Sequence, residues 1–226
     1  MDAYVATRTS WHALGEHVLA RARWEATGKI GLRAEADGVA TPHFGDDRRV
    51  LLTVDGLVLE QYGERTATPI TTLAAAAERV GTPLGAPPGV YTPTTSIAAD
   101  AHLVVDDAAA RVLAAWFGFA RSALAAWRDA HGADAPSLVQ LWPEHFDAAV
   151  DLGDADAGRR ANYGASPGDA LIPEPYLYVG PWVTDGLADP FWNQPWGAAL
   201  PYSALNAAPD PVPLAASFFA HGRERL

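Results

Sequence analysis

Residues 141–196 constrain this chain more than any other stretch. They read LWPEHFDAAVDLG, then NYGASPGD, IPEPYLYVGPW and DPFWNQPWG, and they hold four of the eight tryptophans. Eleven of the 18 prolines lie after residue 140. Proline inside a sheet is confined to edges, ends and bulges, so this half can hold only short strands joined by shaped loops. Loops that carry polar and aromatic groups are where proteins present their chemistry. Any functional site is therefore expected here.

The rest of the chain supplies ordinary core-forming signals. Trp11, Leu14, Val18, Leu19 and Ala22 fall on one face at helical spacing, with Thr9 or Ser10 as the cap of a helix running to about Trp24. Residues 29–35 alternate as a half-buried strand does. Asp55-Gly56, between two β-rich runs, reads as a type I′ hairpin turn pairing Val54 with Leu57 and Leu52 with Leu59. Thr68-Pro69 opens a helix that stops at Val80-Gly81. Residues 82–100 read as a loop. Asp106-Asp107 starts an Ala-rich helix ending at His131-Gly132, and Asp210-Pro211 starts a last helix. Short strands are expected at 137–142, 147–152 and 176–179. The expected fold class is α+β: a mostly antiparallel sheet packed by several helices, with long Pro/Gly-rich loops in the C-terminal half. At 226 residues the chain is read as a single domain, with any sub-division expected near 132–136.

Composition excludes several chemistries. The chain has no cysteine, which removes disulfides and thiolate nucleophiles or ligands. A net charge of −11 without a cationic stripe argues against nucleic acid. The N-terminus lacks the basic start and apolar run of a signal peptide, and the longest apolar run, residues 112–120, is short of the ~20 needed to span a bilayer. The expectation is a cytoplasmic protein with neither a nucleic-acid nor a membrane partner.

The catalytic motifs are near misses. Residues 164–168 match G-x-S-x-G, but Pro167 forbids the helix that a nucleophile elbow requires. Asp151, Asp154 and Asp156 lack the later ligands of a calcium loop. His12 and Glu16 lie one helical turn apart, and two ligands are not a site. The remaining cluster is the segment Glu144-His145-Phe146-Asp147. Strand alternation puts Phe146, Ala148, Val150 and Leu152 on one face and His145, Asp147 and Asp151 on the other. The later strand divides likewise, with Glu174, Tyr176 and Tyr178 opposite Leu177 and Val179. Were the two strands neighbours, one surface would carry His, Asp, Glu and two Tyr.

Candidate catalytic residues are thus His145, Asp147 and Glu144. The ligand-binding candidates are Asn162, Tyr163, Glu174, Tyr176, Trp182 and Asn193. A divalent metal, the one cofactor considered, would be held by His145, Asp147 and Glu174. The preferred reading is a protein binding a small polar molecule. The alternatives are a metal-dependent or acid/base hydrolase using the same residues, and a structural or partner-binding domain.

The run LWPEHFD…NYGASPGD…EPYLYVGPW…FWN resembles a family of uncharacterised actinobacterial proteins that carry these four segments in this order. The matching residues include Trp142, Glu144, His145, Asp147, Asn162, Tyr163, Ser166, Asp169, Glu174, Tyr176, Trp182 and Asn193. The resemblance implies where a site lies and names no activity.

Overall fold

The computed structural model describes residues 2–226. The fold is α+β, with two five-stranded antiparallel sheets and helices packed on them. The chain forms two compact units. One holds the chain up to Gly118 together with Leu141–Phe146, and the other holds Phe119–Gln140 and Asp147–Leu226. The crossings fall inside an unbroken helix and around a six-residue insertion, away from residues 132–136.

The first unit begins with α1 (Ala3–Leu14), a π-helical turn (Gly15–Leu19) and α2 (Ala20–Thr27). The helix starts before Thr9 and Ser10, because the Asp2 carboxylate accepts from Tyr4 N at 2.9 Å and caps it. Thr7 and Ser10 instead spend their hydroxyls on the Asp106 and Val104 amides. Gly28, left-handed at φ 68°, ends α2.

A meander follows: β1 (Arg33–Glu35), β2 (Gly38–Ala40), β3 (Arg48–Thr53), β4 (Gly56–Gln61) and β5 (Glu64–Thr68), paired in that order. α3 (Leu73–Val80) is capped by Thr72 and closed by Gly81, so residues 69–72 lie outside it. The long α4 (Asp107–Ala130) is capped by Asp106, whose carboxylate accepts from Ala109 N at 2.9 Å. Trp11, Leu14, Leu32, Leu51, Leu52, Leu73 and Phe117 are fully buried here.

The β3–β4 hairpin differs from the sequence reading by one residue. Leu52 pairs with Leu57 and Thr53 with Gly56, so the turn is Val54-Asp55. Neither has positive φ, and Gly56 follows at φ 111°. Asp-Gly is here the end of the turn plus the residue after it. The type I′ signature of two consecutive positive φ angles falls at Tyr62-Gly63 (51° and 81°), between β4 and β5. Glycine is required at 56 because a Cβ would sit 2.4 Å from the Thr68 carbonyl oxygen. Gly56→Val is expected to destabilise by about 1–3 kcal/mol, and an unchanged melting temperature would contradict this geometry.

β6 (Gln140–Trp142) falls at the boundary of the two units; the second unit then holds β7 (Asp147–Leu152), β8 (Ala161–Ser166), β9 (Tyr176–Pro181) and β10 (Ala198–Pro201), in the sheet order β10-β9-β8-β7. Two short helices close the chain, α5 (Tyr202–Asn206) and α6 (Pro211–Glu224), the latter capped by Asp210. One face of β7, β8 and β9 carries Val150, Tyr163, Leu177 and Val179, all buried. Trp127 of α4 and Phe219 of α6 join that core, each within 6 Å of the Tyr163 ring. α6 approaches so closely that a Cβ on Gly222 would meet Val179 at 2.7 Å.

Candidate functional site

Each unit gathers polar side chains in one place. In the first unit the gathering point is one row along α1 and the π-helical turn. Arg8, His12 and Glu16 recur every fourth residue and so share one face. Glu16 is fully buried. Its carboxylate accepts from Thr94 N at 2.9 Å, Thr95 N at 2.8 Å and Thr95 Oγ1 at 2.5 Å, with Thr94 Oγ1 at 3.4 Å. One side chain thereby fixes the middle of the 82–106 loop. His17, also fully buried, has Nε2 at 3.0 Å from Thr95 Oγ1 and 3.1 Å from the Thr95 carbonyl oxygen. The Thr95 hydroxyl proton goes to Glu16 and a carbonyl can only accept, so His17 Nε2 carries its proton.

The corner from Trp142 to Phe146 closes the same cluster. Leu141 exchanges both backbone hydrogen bonds with Leu32. Phe146 N bonds back to the Trp142 carbonyl at 2.7 Å, and Phe146 is left-handed at φ 54°. That conformation is uncommon for a bulky residue. It is held because the ring fills a slot against His12 (stacked at 5.1 Å), Phe117 (edge-on at 5.4 Å) and Gly15. His12 Nε2 lies 2.9 Å from the Pro143 carbonyl oxygen and therefore donates to it. Burial lowers the His12 pKa below its usual value, and the Glu16 charge, which pulls the other way, does not overcome this. The Glu144 carbonyl accepts from Thr94 Oγ1 at 3.1 Å. The Glu144 side chain and the exposed His145 stand at the tip of the corner.

The positive φ at Phe146 also breaks the alternation expected through residues 145–151. β7 begins at Asp147, and His145 is a corner residue of the first unit rather than a strand residue in phase with Asp147.

In the second unit the polar residues lie on the sheet face opposite Val150, Tyr163 and Val179, where Asp147, Ser166 and Tyr176 are also buried. β7 and β9 are not neighbours, because β8 runs between them with Ala149, Gly164 and Tyr178 in one cross-strand row. Tyr178 nevertheless reaches β7. Its ring lies flat over Gly164, where a Cβ would be 2.2 Å from the ring, and its hydroxyl donates to the buried Asp147 carboxylate. Burial, and then the Asp147 charge, push the Tyr178 pKa well above its usual value. Tyr176 donates to Asp169 at 2.6 Å, with Ser166 hydrogen-bonded to the same phenol. Trp196 lies 6.2 Å from the Tyr176 ring and 6.0 Å from the Tyr178 ring.

The other expected ligand residues have different employment. Tyr163 is core, with no exposed surface. It belongs to β8, a strand the sequence reading missed, and its phase faces α4 and α6. Glu174 accepts from Ser203 N at 2.7 Å and Ser203 Oγ at 3.0 Å, which caps α5. Asn193 exchanges two 2.9 Å hydrogen bonds with the Ala199 backbone and ties the preceding loop to β10. Trp182 is exposed with the Arg160 guanidinium 5.1 Å from its ring, and Asn162 is exposed on β8. Among the described residues no group of three or more His, Asp or Glu is placed to hold a metal ion. The expected set of His145, Asp147 and Glu174 does not assemble, since Asp147 is bonded to Tyr178 and Glu174 to Ser203.

The sequence reading weighs His12 and Glu16 and sets them aside, places Asp169 only among the residues of the resemblance, and has Trp196 with Trp182 and Trp192 covering the sheet surface. The period-four recurrence of Arg8, His12 and Glu16 was the available signal for the first pair.

A cleft of about 460 Å³ in the first unit is lined by Phe44, Asp46, Arg48, Glu60 and Gln61, among others. Its charges serve the fold: Arg48 bonds the Val80 carbonyl at the end of α3, and Glu60 is held by Arg49 and Arg65.

No protein-family model, curated protein or solved structure matches this chain. Among the described residues no helix is long and apolar enough to cross a membrane.

Proposed function

We propose that the protein binds a small, neutral, hydroxyl-bearing ligand on the polar sheet face of the second unit, through Asp147, Ser166, Tyr176 and Tyr178, with Trp196 as an aromatic wall. One observation carries this reading. A buried carboxylate and two phenols are brought together on the sheet face opposite Val150, Tyr163 and Val179, and a glycine saddle lets one phenol span a whole strand to complete the set. Aromatic faces beside hydroxyl and carboxylate groups suit sugar-like or nucleoside-like molecules. The net charge of −11 disfavours a phosphate-rich partner. Cytoplasmic residence, absence of a nucleic-acid partner, and kinship with the actinobacterial family belong to the same proposal.

The test is a thermal-shift screen of monosaccharides and nucleosides against wild type, Tyr178→Phe and Asp147→Asn. A ligand at about 100 times its Kd adds roughly 2.7 kcal/mol of stability, which is a rise of roughly 5–11 °C for a chain of this size. The rise should vanish in both variants. A panel without hits, or equal shifts in all three proteins, would overturn the assignment.

A further inference from the structure

We propose that the polar sheet face of the second unit continues into an outer subsite over Gly180, between Tyr178 and Trp182 and beside the Asn162 amide, and that its ligand is a neutral oligosaccharide. The inference rests on the reading of that face given above and deepens it.

Strand register places the subsite. Asp151, Asn162 and Gly180 form one cross-strand row. It lies two residues along from the row Ala149, Gly164, Tyr178, and therefore on the same face. Trp182 follows two residues later, where its amide still bonds the Arg160 carbonyl at 2.9 Å. Arg160 ties the indole to this face. Its guanidinium bonds the carboxylate of Asp151 and the Gly153 carbonyl (3.0 Å), and it lies 5.1 Å from the Trp182 ring.

The face is closed at one end and open at the other. Ser166 and Tyr176 are 4% and 6% exposed, Tyr178 and Gly180 are half-buried, Asn162 is exposed, and Trp182 is 57% exposed. Apart from its chain neighbours, a Cβ on Gly180 would meet only the Tyr178 ring among the described residues, at 3.9 Å. The glycine thus leaves a solvent-facing gap on β9 between two aromatic residues, with Asn162 alongside on β8. At about 3.3 Å per residue, the Tyr176 and Trp182 ends of this strip are about 20 Å apart.

The residues at the open end select the ligand class. The indole, seated on a fixed guanidinium, offers a rigid apolar face at little further entropy cost. The Asn162 amide supplies both donors and an acceptor, which neighbouring hydroxyls can use together. The Arg160 charge is matched by Asp151, so this end has no cation left over for a phosphate or carboxylate. An aromatic wall with a few neutral polar groups suits a sugar ring. A sugar held at Asp147 and Tyr178 reaches Trp182 only if further sugar units are joined to it. A nucleoside is too short to bridge that span.

The test is calorimetric titration with cellotetraose, maltotetraose and xylotetraose, alongside glucose, xylose and adenosine. Wild type should bind at least one tetraose saturably, and about 10-fold or more tightly than the corresponding monosaccharide or adenosine. Trp182→Ala should weaken that tetraose about 10-fold or more, the scale for truncating a contact tryptophan. Gly180→Leu, which fills the gap, should do the same, and Asn162→Ala should weaken it less. These positions are exposed or half-exposed, so the variants should melt close to wild type. No saturable tetraose binding, a tetraose no tighter than its monosaccharide, or adenosine tighter than every tetraose would overturn the proposal. Loss of tetraose binding in Tyr178→Phe with none in Trp182→Ala and Gly180→Leu would remove the outer subsite and leave the reading at Asp147 standing. Loss in Trp182→Ala with none in Tyr178→Phe or Asp147→Asn would overturn the reading at Asp147, and the extended site with it.

Discussion

Glu16→Ala is expected to cost about 3–5 kcal/mol, the scale for removing one partner from a buried charged network. For a chain of this size that is a fall of roughly 6–20 °C in melting temperature. Glu16 is fully buried and is the acceptor for two backbone amides and a hydroxyl of the 82–106 loop, at 2.5 to 2.9 Å. Truncation leaves those donors without an acceptor in a place where water must be admitted to replace it. It also frees the Thr95 hydroxyl that orders His17. Glu16→Gln retains one carbonyl oxygen and should fall between the two. The damage should begin locally, so limited proteolysis between residues 86 and 100 should accelerate before global unfolding. A loss below about 1 kcal/mol, with the loop still protected, would show that Glu16 does not hold it.

What was legible in the sequence was what is local. Asp106, Asp210 and Gly81 announce helix ends because a cap acts within one turn of itself, and all three do so here. The α+β class followed from the same signals. The misses are long-range. Glu174 looked like a ligand residue because its partner, Ser203, lies 29 residues away on a helix too short to read. Asn193 looked like a pocket residue for a similar reason, since its amide imitates a strand backbone against Ala199. The His145 phase was miscounted because nothing local reveals that Phe146 turns left-handed. That conformation is fixed by His12, Gly15 and Phe117, far away in sequence. β8 was overlooked because its centre is glycine, which strands ordinarily disfavour.

That glycine carries the second large effect. Gly164→Ala is expected to destabilise by about 3–5 kcal/mol, and to remove whatever binding the sheet face supports. A Cβ at this position would lie 2.2 Å from Tyr178 Cζ, 2.3 Å from Cε1 and 2.5 Å from the hydroxyl oxygen. A ring cannot yield by a few tenths of an ångström there, so Tyr178 must leave. Overpacking of this kind costs about 1–3 kcal/mol, and the buried Asp147 carboxylate then loses a charge-assisted donor worth about 1.5–3 kcal/mol. Two comparisons isolate the cause. Gly180→Ala places its Cβ 3.9 Å from the same ring, an ordinary contact, and should be close to neutral. In a Tyr178→Ala background, Gly164→Ala should cost little, because the ring it collides with is gone. The coupling between the two sites, read from the double-mutant cycle, should therefore exceed ~2 kcal/mol, within the 0.5–3 kcal/mol seen for residues in contact. Additive losses would mean that Gly164 is needed for backbone reasons alone, and that the row Ala149, Gly164, Tyr178 is not what delivers a phenol to Asp147.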